Sequence, residues 1–250
     1  MKRILVSNDD GIHAPGLAAL TGALAETGEL SVMAPLTEQS ATSHALTLHR
    51  PLRIREMGER RFAVEGTPTD CVLVGVRKFL DHTPDLVASG INQGPNMGED
   101  VIYSGTVAAA MEGALLGIPS VAFSLASWEF ADFAPAGDIA RRLVARLLDA
   151  ELPSRFLVNV NIPPVPAADI RGFRVTRLGT RVYNDAIVQK TDPRGRPYYW
   201  IGGAAPSWEP SADTDFQAVQ EGYVSLTPLL LDITDRRGFE FLDGLGLDAL

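Results

Sequence analysis

Residues 1 to about 160 alternate short apolar runs with segments of helical periodicity, and no other feature limits the fold of this chain so sharply. The runs at 3–7, 30–34, 85–89, 120–124 and 156–161 are too short for buried helices and read as strands. Between them, Leu17, Leu20 and Leu24 share one helical face, and Ile139, Leu143, Val144, Leu147 and Leu148 share another. Strand and helix in strict alternation predict an α/β fold with a doubly wound, mostly parallel sheet. Residues 45–65, where Leu46, Leu48, Leu52 and Ile54 alternate ahead of Glu56-Met57-Gly58-Glu59, predict an inserted pair of strands turning at 56–59. Beyond Pro163-Pro164 the texture becomes Arg-rich and aromatic, which predicts a core at 1–162 and a β-rich extension at 163–250. Residues 181–201 read as a projecting hairpin turned at Asp192-Pro193-Arg194-Gly195, with Tyr198, Tyr199 and Trp200 on the returning strand. Exposed aromatics on such an arm predict contact with another subunit.

The chemistry concentrates where strands end. Ile4-Leu5-Val6-Ser7 stops at Asn8-Asp9-Asp10-Gly11, so two adjacent carboxylates sit at a strand's carboxyl end, where open α/β sheets place their ligands. Two anions in a partly dry turn repel each other, and a divalent cation is the usual remedy; a solvated Asp-Gly turn is the alternative. Ser89-Gly90-Ile91-Asn92-Gln93-Gly94-Pro95-Asn96-Met97-Gly98 follows another strand. Its glycine spacing excludes the dinucleotide fingerprint, while Asn92 and Asn96 offer a metal an amide oxygen or a phosphate an N–H donor. Tyr103-Ser104-Gly105-Thr106 precedes a strongly helical run from Val107 to Glu112. A helix start there presents unpaired N–H groups and a positive dipole end to an anion, or Ser104 or Thr106 simply caps it. The polar loop from Ala34 to His44 supplies hydroxyls and Glu38 to complete an oxygen-rich shell. With cation ligands and anion cradle on different loops, a bulky residue at Gly105 is expected to disturb the anion alone.

The formal net charge of -9 argues against a duplex nucleic-acid surface, since phosphate contacts need clustered Lys and Arg. Cys71, the single cysteine, excludes an intramolecular disulfide, and no long apolar segment predicts a membrane span; the expected compartment is the cytoplasm. Thr67-Pro68-Thr69-Asp70 predicts a capped helix start, which makes Cys71 a buried hydrophobe rather than a reactive thiol. His13, His44, His49 and His82 lack the spacing of a zinc site, so oxygen ligands point to a hard cation such as magnesium, manganese or calcium. No Gly-x-Ser-x-Gly elbow and no P-loop occur.

With these loops in view, the chain resembles the SurE family, the survival-protein-E 5'/3'-nucleotidases. The resemblance rests on Ser7-Asn8-Asp9-Asp10-Gly11 with His13-Ala14-Pro15-Gly16, on Ala34-Pro35 to Ser40, and on Gly66-Thr67-Pro68-Thr69-Asp70-Cys71. It continues through Ser89-Gly90-Ile91-Asn92 with Gly94 and Asn96, Tyr103-Ser104-Gly105-Thr106 and Glu221-Gly222-Tyr223-Val224-Ser225. It implies a Rossmann-like core and a C-terminal extension used in a homodimer or homotetramer. It also implies a metal-dependent phosphomonoesterase acting on nucleoside monophosphates with one divalent ion, magnesium or manganese. By position, the family's metal ligands fall on Asp9, Asp10, Ser40 and Asn92, and its phosphate-binding elements on Asn96, Ser104, Gly105 and Thr106. The expected mechanism is attack by a metal-activated water, with Asp9 or Asp10 as catalytic base. The competing readings are an aspartyl-phosphate phosphatase, against which the adjacent pair rather than Asp-x-Asp speaks, and a non-catalytic nucleotide-binding sensor.

Overall fold

The computed structural model describes residues 1–129, 132–182, 187–201 and 207–245. Strand β1 (Arg3–Ser7) sends Ile4 and Val6 to one face of the sheet and Leu5 to the other, as a pleat with period two requires. Helix α1 (Pro15–Leu24) opens on Pro15, where a missing N–H is harmless, and buries Leu17, Leu20 and Leu24. There follow β2 (Glu29–Pro35), β3 (Ile54–Gly58), β4 (Arg61–Val64), α2 (Pro68–Val74), β5 (Leu86–Gln93), α3 (Gly105–Leu115), β6 (Ser120–Leu125), α4 (Ala134–Leu148) and β7 (Leu157–Ile162). The start of α2 carries a full capping box: Thr67 Oγ1 accepts the Asp70 N–H at 3.1 Å, and Asp70 Oδ2 accepts the Thr67 N–H at 2.8 Å. Cys71 on that helix is wholly buried, and burial pushes its thiol well above the ordinary range.

The remaining elements are β8 (Phe173–Val175), β9 (Arg181–Val182), β10 (Ile187–Thr191), β11 (Pro197–Ile201), β12 (Ser207–Trp208), α5 (Asp215–Gln220), β13 (Val224–Pro228) and α6 (Arg237–Asp243). The main sheet runs β3-β4-β2-β1-β5-β6-β7-β13-β8. Strands β4, β2, β1, β5, β6 and β7 are mutually parallel, β13 runs antiparallel to β7, and β8 lies parallel to β13. Helices α1 and α4 pack together over the Ile4 and Val6 face, while α2 and α3 pack together over the Leu5 face. The expected α/β class with a mostly parallel, doubly wound sheet is therefore what forms. Of the described residues beyond Ile162, β8 and β13 join that sheet.

The inserted hairpin is real but begins later than its leucine alternation predicts. Leu46 and Leu48 are exposed in irregular chain, the strands start at Ile54, and the turn falls at Glu59-Arg60. Side chains instead of a ladder hold 45–50: Asp70 accepts the Thr47 N–H at 2.9 Å, Thr67 donates to the Ala45 carbonyl, and Arg50 donates to the Glu65 carbonyl. The arm at 181–201 forms an antiparallel pair of β10 and β11 with Tyr198, Tyr199 and Trp200 exposed; residues 183–186 of that expectation lie outside the described residues. Among the described residues, no helix is long and apolar enough to cross a membrane.

Candidate active site

From β1 the chain builds outward to β2 and β4 on one side, then returns to lay β5, β6 and β7 on the other. The direction reverses between β1 and β5, so the crevice beyond their carboxyl ends is the switch point of the sheet. Asp9 and Asp10 leave β1 there, and Asn92 stands at the end of β5. Gly90, with φ of +125°, lets β5 shift register against β6 between Ser89 and Asn92; a Cβ at 90 would lie 2.3 Å from the Phe123 carbonyl oxygen. The loop after β2 closes on the same crevice, its Gln39 N–H donating to the Asp9 carbonyl at 2.8 Å and its Ser43 N–H to the Tyr103 carbonyl at 3.1 Å.

Asp9 is only 4% exposed, and burial raises its carboxyl above the usual range, against the lowering effect of a Thr106 hydroxyl that donates to Oδ1. Asp10 is half-buried; burial first, and the neighbouring Asp9 charge second, push it up to about 6. Its Oδ2 accepts the Gln93 N–H at 3.4 Å. Ser40 donates its hydroxyl proton to Glu38 Oε1 at 2.6 Å, leaving oxygen lone pairs for a further partner. Asn92 spends its amide nitrogen on the Gly94 carbonyl at 2.8 Å, which leaves its amide oxygen as the group to meet a cation. Among the described residues, no three or more His, Cys, Asp and Glu side chains are arranged to hold a metal ion. Asp9, Asp10, Ser40 and Asn92 form a set of another kind, two carboxylates with two neutral oxygens, and that all-oxygen chemistry fits a hard divalent cation.

On the anion side, Ser104 is the N-cap of α3 and its Oγ accepts the Val107 N–H at 3.1 Å, so its own O–H proton stays available to donate. Asn96 is locked by a buried polar network. Its N–H donates to Asn161 Oδ1 at 2.9 Å, its amide nitrogen to Ser124 Oγ at 2.8 Å, and its carbonyl accepts from Asn159 and Asn161. Asp9, Asp10, Ser40, Asn92, Asn96 and Ser104 thus share the lining of one cavity of about 580 Å³. Gly105 and Thr106 stand behind it. Both are buried, Thr106 is turned to Asp9, and a Cβ on Gly105 would lie 2.7 Å from Asp9 Cβ and 2.9 Å from Oδ2.

The cavity also takes in residues that sequence reasoning passed over. Asp100, Trp128 and Arg181 line it, and four carboxylates (Asp9, Asp10, Glu38, Asp100) face it against one guanidinium. Arg181 reaches it from the extension, its N–H donating to Glu99 Oε2 at 2.7 Å and its Nη1 pairing with Asp100. Buried Asp215, also in the extension, accepts N–H groups from Gly98, Gly179 and Phe216 at 2.9, 2.9 and 2.8 Å, and so ties the 94–98 loop to the chain entering β9. Trp128 follows the carboxyl end of β6, so the rule that picked out the other loops covers it too.

The survival protein SurE profile matches residues 4–185. A 5'-nucleotidase SurE from Gemmatimonas aurantiaca is 52% identical, with 94% of each chain covered. One from Geobacter sulfurreducens is 48% identical, covering 98% of this chain and 94% of its own. The crystal structure of the SurE protein from Aquifex aeolicus superposes with a TM-score of 0.88 at 42% identity, over 98% of this chain and 99% of that one.

Proposed function

This chain belongs to the SurE family, and from that membership we propose that it is a 5'-nucleotidase, a phosphomonoesterase that releases phosphate from nucleoside 5'- and 3'-monophosphates with one bound Mg2+ or Mn2+. The observation that carries the metal dependence is the charge of the cavity. Four carboxylates face the place where a phosphate dianion would sit, and one guanidinium, already paired with Asp100, does not offset them. Asp9, Asp10, Ser40 and Asn92 are assigned as the cation's ligands. A divalent ion held there supplies Lewis acidity to a phosphoryl oxygen and lowers the pKa of water.

The protein's own groups divide the remaining work. Thr106 and Gly105 fix Asp9 from behind, and Asp10, which reaches the cavity, accepts the proton of the attacking water on the oxygen that the Gln93 N–H leaves open. Ser104 donates its hydroxyl, and Asn96 its second amide proton, to phosphoryl oxygens. Gly105 and Thr106 add the positive end of α3, with Thr106 acting chiefly through Asp9. The enclosure of Asp9 argues against its attack on phosphorus. The core at 1–162 is assigned the chemistry, and 163–250 is assigned subunit assembly into a dimer or tetramer while also lending Arg181 to the cavity. A single, buried cysteine supports a cytoplasmic site of action.

Phosphate release from a panel of nucleoside 5'- and 3'-monophosphates tests this reading. Release is expected with added Mg2+ or Mn2+ and is expected to cease after exhaustive chelation. Full turnover of the chelated protein would refute the metal dependence, and nucleotide binding without release would make the protein a sensor.

A further inference from the structure

At about 580 Å³ the cavity has the dimensions of a site for a whole small molecule rather than for a phosphate alone. Two large aromatic side chains line it while keeping most of their surface in water: Trp128 is 66% exposed and Tyr103 is 57% exposed. Tryptophan is generally among the most enclosed residues of a fold, so an indole left open at a cavity that also holds Asp9, Asp10 and Asn92 has surface to offer a ligand. Its placement is not loose. The six-membered ring lies against Gly94, where an added Cβ would come 2.8 Å from Cζ3 and 2.9 Å from Cε3. Gly94 in turn donates its N–H to the Leu125 carbonyl at 3.0 Å and accepts the amide of Asn92 at 2.8 Å. One glycine therefore seats both the indole and a proposed cation ligand, which fixes the ring relative to the place where phosphate is cleaved.

We propose that Trp128 is the stacking platform for the nucleobase of the substrate, with Tyr103 as the second aromatic wall, so that the cavity selects nucleoside monophosphates over sugar phosphates. The assignment rests on the nucleotidase reading and deepens it. Every base has a π-face, so stacking tolerates all of them and favours purines only through their larger ring area. The platform thus accounts for selection of nucleotides as a class without hydrogen bonds that read one base.

The test compares kcat/KM for AMP with kcat/KM for ribose 5-phosphate. Trp128→Ala should lower that ratio about tenfold or more, with the loss carried by KM for AMP, while Trp128→Phe keeps most of it. Adenosine, which has no phosphate, should quench tryptophan fluorescence in the wild type, and the quench should vanish in Trp128→Ala although Trp200 and Trp208 remain. An unchanged ratio, or a quench that survives the substitution, overturns the assignment. A wild-type protein that releases phosphate from neither compound would sink the nucleotidase reading instead, and the adenosine titration would still judge the ring.

Discussion

Asp9 is gripped by the first turn of α3 at two points, the Thr106 hydroxyl and the bare Cα of Gly105. The loops anticipated as separate from their positions in the chain therefore touch at this residue. The helix start meant for an anion is pressed against a proposed cation ligand. Gly105→Val should cost both functions, lowering divalent-ion affinity about tenfold or more alongside turnover, because the new side chain must displace the Asp9 carboxylate. Calorimetric titration with Mn2+ checks it, and wild-type metal affinity in a folded variant would count against the contact. Asp10 yields a pH prediction. Its carboxyl titrates at about 6 in the folded chain against 3.8 as the ordinary value, so the folded state holds that proton more tightly than the unfolded state does. Stability from this group is present below about 4 and lost as pH rises through 6. In chelator, the wild type should lose melting temperature relative to Asp10→Asn over that window, and added Mg2+ at pH 7 should close the gap. A gap that stays constant with pH would contradict it.

Among the elements, the tie between the core loop at 94–98 and the extension is the one to break. Asp215→Ala strips three N–H groups of a buried acceptor, and a loss of roughly 3 kcal/mol or more is expected in denaturant unfolding. Activity should fall as well, because Gly98 begins the turn that carries Asp100 to Arg181. A variant as stable as the wild type would show that the anchor is dispensable. Strands β1, β2, β5, β6 and β7 were legible because a parallel strand covered on both faces is an unbroken apolar run, and each loop that follows inherits its place from the strand. The segment before Ile54 misled because alternating leucines look the same whether a ladder or side chains such as Asp70 and Arg50 hold the backbone. Asp215 left no local mark, since two of its partners lie 117 and 36 residues away. Thr106 was read as a phosphate contact because its position at a helix start is visible in the chain, whereas the direction of its hydroxyl is set by how β1 and α3 pack.

At the scale of the molecule, the hairpin of β10 and β11 projects Tyr198, Tyr199 and Trp200 into solvent, and these are the surfaces assigned to assembly. Excision of 187–201 should reduce the particle mass measured by light scattering to that of a smaller assembly; an oligomer unchanged in subunit number would remove the arm from the interface. The order of strands at the far side of the sheet has a separate consequence. Strand β13 lies between β7 and β8 although it is the last strand among the described residues, so β8, complete at Val175, meets its neighbour only when Val224 and the residues after it arrive. A ribosome delivers the chain in one direction. While the intervening residues are being made, β7 presents an open edge to a crowded solution, the condition under which strands recruit the wrong partner. Closing that edge falls to a strand made about 60 residues after β7, and a message cut short before Val224 would yield a chain that carries Asp9, Asp10, Asn92 and Arg181 on an unfinished sheet.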